Sequence, residues 1–258
     1  DINGDGKADK RVPMVLLVHG GPWTRDVYGY DAYHQWLANR GYAVLSVNFR
    51  ASSGFGKKFL TAGNKQWGLA MHTDLLDAVE WAVKQGITSA DQVAIMGGSY
   101  GGYATLAALA FTPTAFSCGV AIVGPSNLET LLATIPPYWE AGKKQMYSRM
   151  GDPTTIEGRE ILRAASPLYK ANQIIRPLLI GQGANDPRVK QAESDQIVAA
   201  MQTKNIPVTY VLYPDEGHGF VKPNNRISFN AIPEAFLGNC LGGRVEPLGG
   251  TLQKSTAQ

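Results

Sequence analysis

Short, wholly apolar runs alternate along this chain with longer stretches of helical period. Met14-Val15-Leu16-Leu17-Val18 has no polar position, as expected of a strand whose sheet is covered on both faces. Ala43–Asn48, Val93–Met96, Cys118–Val123, Pro177–Gly181 and Val208–Tyr213 read the same way. Apolar residues three and four apart predict helices over Tyr33–Asn39, ended by Gly41, and over Asp74–Val83. Ala104–Ala110, Lys190–Lys204 and Ile227–Leu241 predict three more. Arg50 to Gly68 reads as a long irregular stretch. Residues 125–170 lack strand signals and hold Tyr138, Trp139, Tyr147 and Tyr169, so they are expected to form helical excursions over one face. Strands alternating with helices imply the α/β class, with a mostly parallel central sheet and helices on both faces. The boundaries drawn are a polar N-terminal loop at 1–12, one domain at 13–241 and a loose tail at 242–258.

One junction carries chemistry. Gly97-Gly98-Ser99-Tyr100-Gly101 sits between the Val93–Met96 run and the Ala104–Ala110 run. A serine flanked by glycines on a strand-to-helix turn is the nucleophile elbow of the α/β-hydrolase fold. A hydroxyl is a weak nucleophile and needs a base and an acidic orienter. In this fold they follow in the order acid, then histidine. Of the four histidines, His19, His34, His72 and His218, only His218 lies well downstream, just past the Val208–Tyr213 strand. The acid should follow the preceding strand, where Asp186 falls in the exit loop. Asp195, Asp215 and Glu216 are rivals, the first inside a helix and the others crowded into the histidine's own turn. Ser99 is thus expected to attack a carbonyl, with His218 moving the proton and Asp186 fixing the imidazole. The N–H groups of Tyr100 and Gly21 are the expected oxyanion donors. His19 is expected to structure its loop, and His34 and His72 to be ordinary helix or surface residues.

Composition narrows the partners. The chain has 258 residues, a formal net charge of +3, 44% hydrophobic and 17% charged residues, which suits one globular α/β domain. No basic stripe with interleaved aromatics points to nucleic acid. No apolar run is long enough to span a bilayer. Asp1-Ile2-Asn3-Gly4-Asp5-Gly6-Lys7-Ala8-Asp9 mimics half of a calcium loop, but position 12 is Val12 rather than the closing glutamate, and a polar turn is the better reading. No metal or cofactor is expected. The chain starts at Asp1 without a methionine or signal peptide and reads as the interior of something longer. Its two cysteines, Cys118 and Cys240, fit either two buried thiols or one bridge.

Gly97-Gly98-Ser99-Tyr100-Gly101-Gly102-Tyr103, with His19-Gly20-Gly21-Pro22 upstream, resembles the prolyl oligopeptidase family of serine peptidases. The likeness runs roughly from Pro13 to Leu241 and is nearest the acylaminoacyl peptidase and dipeptidyl peptidase IV branches. Asn185–Val189 and Glu216–Gly219 match the segments that carry that family's acid and base. The resemblance implies further roles: Tyr100 lining the first specificity pocket, Arg188 holding a substrate carbonyl, and Trp23, Leu128, Leu131 and Tyr138 as pocket walls. It also implies a Cys118–Cys240 disulfide, and hence a periplasmic or secreted location. Family members usually carry a β-propeller before the hydrolase domain, which the resemblance implies for the full-length protein. Two departures stand out. His19 occupies the place where some branches put an oxyanion tyrosine, so the second donor should be backbone. Ala51 stands where the family's loop has glycine. The expected function is hydrolysis of peptide bonds through an acyl-enzyme, with small peptides as partners. A carboxylesterase acting on small esters, or a non-catalytic hydrolase-fold binding domain, are the alternatives.

Overall fold

The computed structural model describes Gly4 and residues 8–258. Apart from Gly4, Ala8 and Asp9, the alternating acidic run at Asp1–Asp9 lies outside the described residues.

Six parallel strands form one sheet in the order β2-β1-β3-β4-β5-β6. They are β1 (Met14–Val18), β2 (Ala43–Ser46), β3 (Val93–Gly98), β4 (Cys118–Ile122), β5 (Leu178–Gly183) and β6 (Thr209–Tyr213). Helices α1 (Ala32–Asn39), α2 (Lys57–Thr61), α3 (Ala70–Lys84) and α4 (Tyr100–Phe111) fill the first crossovers. Helices α5 (Leu128–Ala133), α6 (Lys143–Met150) and α7 (Ile156–Ala164) stand between β4 and β5; α8 (Gln191–Thr203) and α9 (Pro223–Leu241) complete the described set.

The apolar runs have the expected cause, because alternate side chains enter two separate cores. Leu16, Ile95 and Ile180 pack with α3, α4 and α8, whereas Val15, Met96 and Leu179 pack with Leu37 of α1 and Phe229 and Leu237 of α9. Chain order leaves β1 in one direction for β2 and in the other for β3, so the β1 and β3 exits flank a topological switch point. Open parallel sheets bind ligands at such a point, beyond the carboxyl ends of the strands.

Three regions depart from the sequence reading. The Arg50–Gly68 stretch includes α2, one short helical turn. The last helix begins at Pro223, whose fixed φ suits the first helical position but whose polar neighbours hide the start. The tail is not loose. Arg244 N–H donates to Arg40 O at 2.9 Å, and Leu212 and Gln258 exchange backbone hydrogen bonds of 3.0 and 2.9 Å. The exposed edge of β6 offers unpaired backbone groups, and the tail takes one pair of them.

Cys118, opening β4, is bonded to Cys240 near the end of α9, with Cα atoms 6.5 Å apart. This bridge closes a loop of 122 residues. Replacing both cysteines by alanine should lower the unfolding free energy by about 2–4 kcal/mol. Urea melts of the two proteins check this, and a mass that stays constant on reduction would show the bridge to be absent.

His72, on α3, is buried with Nε2 3.0 Å from Thr112 Oγ1 and with Nδ1 lacking a partner. Burial pushes its pKa down from 6.5 to about 4. The unfolded ring takes up a proton that the folded ring resists. Stability is therefore complete above pH about 6.5 and falls as the pH drops towards 4, by up to about 3 kcal/mol. Urea unfolding at pH 7.5 and 4.5 should show this slope, and His72→Leu should flatten it.

Candidate active site

β3 ends at Gly98 and α4 starts at Tyr100, so the turn between them is Ser99 alone. Ser99 has φ 57° and ψ −117°, a conformation that costs a non-glycine residue about 1–3 kcal/mol. It is pinned on both sides. Its N–H donates to Ile122 O at 2.8 Å, and its carbonyl accepts from Tyr103 N–H at 3.0 Å. At Gly101 a Cβ would stand 2.0 Å from Val18 O, so α4 docks on the end of β1 only with glycine there. Ser99 therefore sits at the carboxyl edge of the sheet and at a helix N-terminus, where backbone N–H groups favour negative charge.

The Asp186 side chain is fully buried in the loop after β5. Its Oδ1 accepts the N–H groups of Arg188 and Val189 at 2.8 and 2.9 Å. Its Oδ2 accepts from His218 Nδ1 at 2.7 Å. An ionised carboxylate only accepts, so Nδ1 carries the hydrogen and the lone pair remains at Nε2. The His218 turn is folded onto the end of β5. Gly217 and Gly219 form an antiparallel bridge, and a Cβ at Gly183 would lie 2.2 Å from Gly217 O. Ser99 Oγ and His218 Nε2 form no hydrogen bond with each other. Contacts of this kind often tighten only when substrate is held.

The rival acids are committed elsewhere. Glu216 is buried and accepts from Val221 N–H, Lys222 N–H and Asn225 Nδ2 at 3.1, 2.9 and 3.0 Å, bracing the histidine's turn. Asp215 pairs with Lys222 at 2.5 Å, and Asp195 accepts the Tyr210 hydroxyl at 2.8 Å.

The loop after β1 reaches the same edge. The His19 ring stacks on Phe49 at 4.4 Å. Its Nδ1 lies 2.7 Å from Gly20 O and its Nε2 2.9 Å from Ser52 Oγ. A carbonyl only accepts, so Nδ1 carries the hydrogen, and Nε2 is taken up by the serine hydroxyl. His19 is thereby committed to shaping its loop. Gly21 follows with φ 110°, which favours glycine. The departure at Ala51 has a visible cost: it holds φ 87°.

A cavity of about 410 Å³ opens here, with Gly21, Ser99 and Tyr100 on its wall. Trp23, Leu131 and Tyr138 line it as well. The Tyr100 ring packs edge-on to Trp67 at 4.7 Å, and burial pushes its phenol well above the usual range. Leu128 corrects the expectation. It is completely buried in the core and does not line the cavity. Leu131, three residues on, is also buried in the core, but unlike Leu128 it contributes to the cavity wall. Arg188 is exposed at the rim, its guanidinium 5.9 Å from the ring of Trp139, a cavity wall. The sequence reading did not assign Trp67, Trp139, Met146 or Met150 to this wall. Among the described residues no group of three or more His, Cys, Asp or Glu could hold a metal ion, and no helix is long and apolar enough to cross a membrane.

Residues 28–244 match the model of the prolyl oligopeptidase family. The chain is similar to dipeptidyl aminopeptidase BIII of Pseudoxanthomonas mexicana, at 71% identity over 96% of the chain and 36% of the relative. It is similar to dipeptidyl peptidase family member 6 of Caenorhabditis elegans, at 57% identity over 91% of the chain and 32% of the relative. Among solved structures, a puromycin-hydrolysing peptidase of Mycobacterium tuberculosis superposes with a TM-score of 0.86 at 29% identity, over 93% of this chain and 36% of that one. The chain thus spans about a third of the length of these relatives. On sequence and fold together, it belongs to the prolyl oligopeptidase family, whose α/β-hydrolase fold it has.

Proposed function

We propose that this chain is the catalytic domain of a serine peptidase that cleaves peptide bonds through a covalent acyl-enzyme. One observation carries the reading: a buried carboxylate fixes His218 with its basic nitrogen free, at the same carboxyl edge of the sheet as a serine in a strained elbow.

In the proposed reaction Ser99 Oγ attacks the carbonyl carbon while its proton passes to His218 Nε2. The new C–O bond puts the carbonyl's electron pair on oxygen. The N–H groups of Tyr100 and Gly21 receive that charge, each such donor contributing about 3 kcal/mol. The tetrahedral species collapses, the C–N bond breaks, and His218 returns the proton to the leaving amine. Water then repeats the sequence on the acyl-enzyme. Arg188 at the rim fits a substrate carbonyl, and the aromatic walls suit a large side chain next to the cleaved bond.

A carboxylesterase is the second reading, favoured by a cavity whose walls are mostly apolar and carry no charged side chain among the described residues. A small ester would need no grip beyond them. The bridge between Cys118 and Cys240 supports an oxidising compartment, the periplasm or the cell exterior. The greater length of the relatives leaves room for a β-propeller in the full-length protein, and small peptides are its proposed substrates.

A fluorophosphonate should label Ser99, and Ser99→Ala should abolish labelling and reduce kcat by about 10⁶-fold. Asp186→Asn should keep the fold and reduce kcat by about 10⁴-fold. A folded chain that resists the label would leave only a binding module. The ratio of activity on a short peptide anilide to that on a p-nitrophenyl ester separates peptidase from esterase.

A further inference from the structure

Behind the cavity wall lies a buried acid that the proposed reaction does not use. Glu193, in the first turn of α8, is 2% exposed. Its Oε2 accepts the N–H groups of Ser126 and Asn127, both at 2.9 Å, and Gln196 Nε2 at 2.9 Å. Its Oε1 accepts the Thr130 hydroxyl. The Ser126 hydroxyl also donates to the Glu193 carbonyl at 2.6 Å. One residue of α8 therefore grips the whole segment from Ser126 to Thr130. Pro125, just before that segment, and Leu131, just after it, both line the cavity beside Ser99.

The segment needs holding. Val123 enters it with φ 44°, which is strained for a β-branched residue. Pro125 has no N–H to donate. Helix α5 has only six residues, too few to be stable on its own. Without Glu193 the N–H groups of Ser126 and Asn127 would be buried unpaired. A carboxylate suits the task because its two oxygens can accept several donors at once. Burial raises its pKa, and the hydrogen bonds from Thr130, Asn127 and Ser126 oppose the rise.

We propose that Glu193 is a positioning residue for substrate selection, which fixes Pro125 and Leu131 and so sets the shape of the cavity that receives the side chain next to the cleaved bond. The inference rests on Ser99 being the nucleophile.

The test compares p-nitrophenyl acetate, whose acyl group barely enters the cavity, with p-nitrophenyl 3-phenylpropanoate, whose acyl group fills it. Glu193→Ala should lower kcat/KM for the bulky ester by on the order of tenfold to a hundredfold, mainly through KM. The acetate should change by less than about threefold, because the elbow and the His218 turn are held by other contacts. Glu193→Gln, which keeps an acceptor for Ser126 and Asn127, should restore most of the bulky-ester activity. Thr130→Val removes one donor from outside the acid and should shift the ratio the same way, about severalfold, which decides the matter if Glu193→Ala does not fold. Equal losses on both esters in Glu193→Ala, or an unchanged ratio in folded Thr130→Val, would overturn the role of Glu193. A Ser99 that reacts with neither ester in the unsubstituted chain would overturn the catalytic reading itself, and this inference with it.

Discussion

The arrangement depends on how closely α4 approaches the end of β1. Gly101 lies so near Val18 O that no side chain fits between them. This contact fixes the axis of α4 against the sheet and forces the chain to reverse at Ser99 within one residue. The resulting φ of 57° is unfavourable in isolation, so packing on every side must sustain it. Tyr100 to Ala110 are all buried, which is why small residues dominate that helix. A longer or looser turn would relieve the strain, but the hydroxyl would no longer be held clear of the sheet edge.

Three buried acids do related work around that edge. Asp186, Glu193 and Glu216 each accept two backbone N–H groups from a turn or helix start. Each thereby removes the cost of burying those donors unpaired. They differ in what remains. Glu216 spends its remaining capacity on Asn225, and Glu193 on Thr130 and Gln196. Asp186 keeps an oxygen for an imidazole. The same device thus braces the loops in two places and, in the third, fixes an imidazole.

The sequence made the sheet legible because burial on both faces leaves an uninterrupted apolar run. All six strands lie where those runs predicted. That Ser99, Asp186 and His218 lie at one edge of the sheet was legible because strand ends in a parallel sheet converge, so position along the chain implies position in space. The cavity wall had no such code. Trp67, Trp139, Met146 and Met150 come from loops and short helices with no period that points at a site. Leu128 and Leu131 are three residues apart on one short helix and both pack in the core, yet of the two Leu131 also lines the cavity. The tail was misread for a different reason. Backbone pairings with β6 and with the α1 exit hold it, together with long-range polar contacts such as Glu246 N–H to Glu234 and Thr256 N–H to Asn225, and neither kind follows from local composition.

The site therefore has two parts with different mechanical origins. The groups placed for chemistry sit on strand ends locked by the sheet ladder and by close backbone contacts. Much of the cavity wall sits on α5, α6 and the segment between them, elements too short to hold their own shape. Those elements are held from outside. Glu193 grips the start of α5, and the Arg149 guanidinium of α6 lies 4.7 Å from the ring of Trp23. The wall can consequently change shape through a few outlying contacts while Ser99, Asp186 and His218 keep their geometry. The cavity wall and the group of Ser99, Asp186 and His218 are thus supported by different hydrogen bonds.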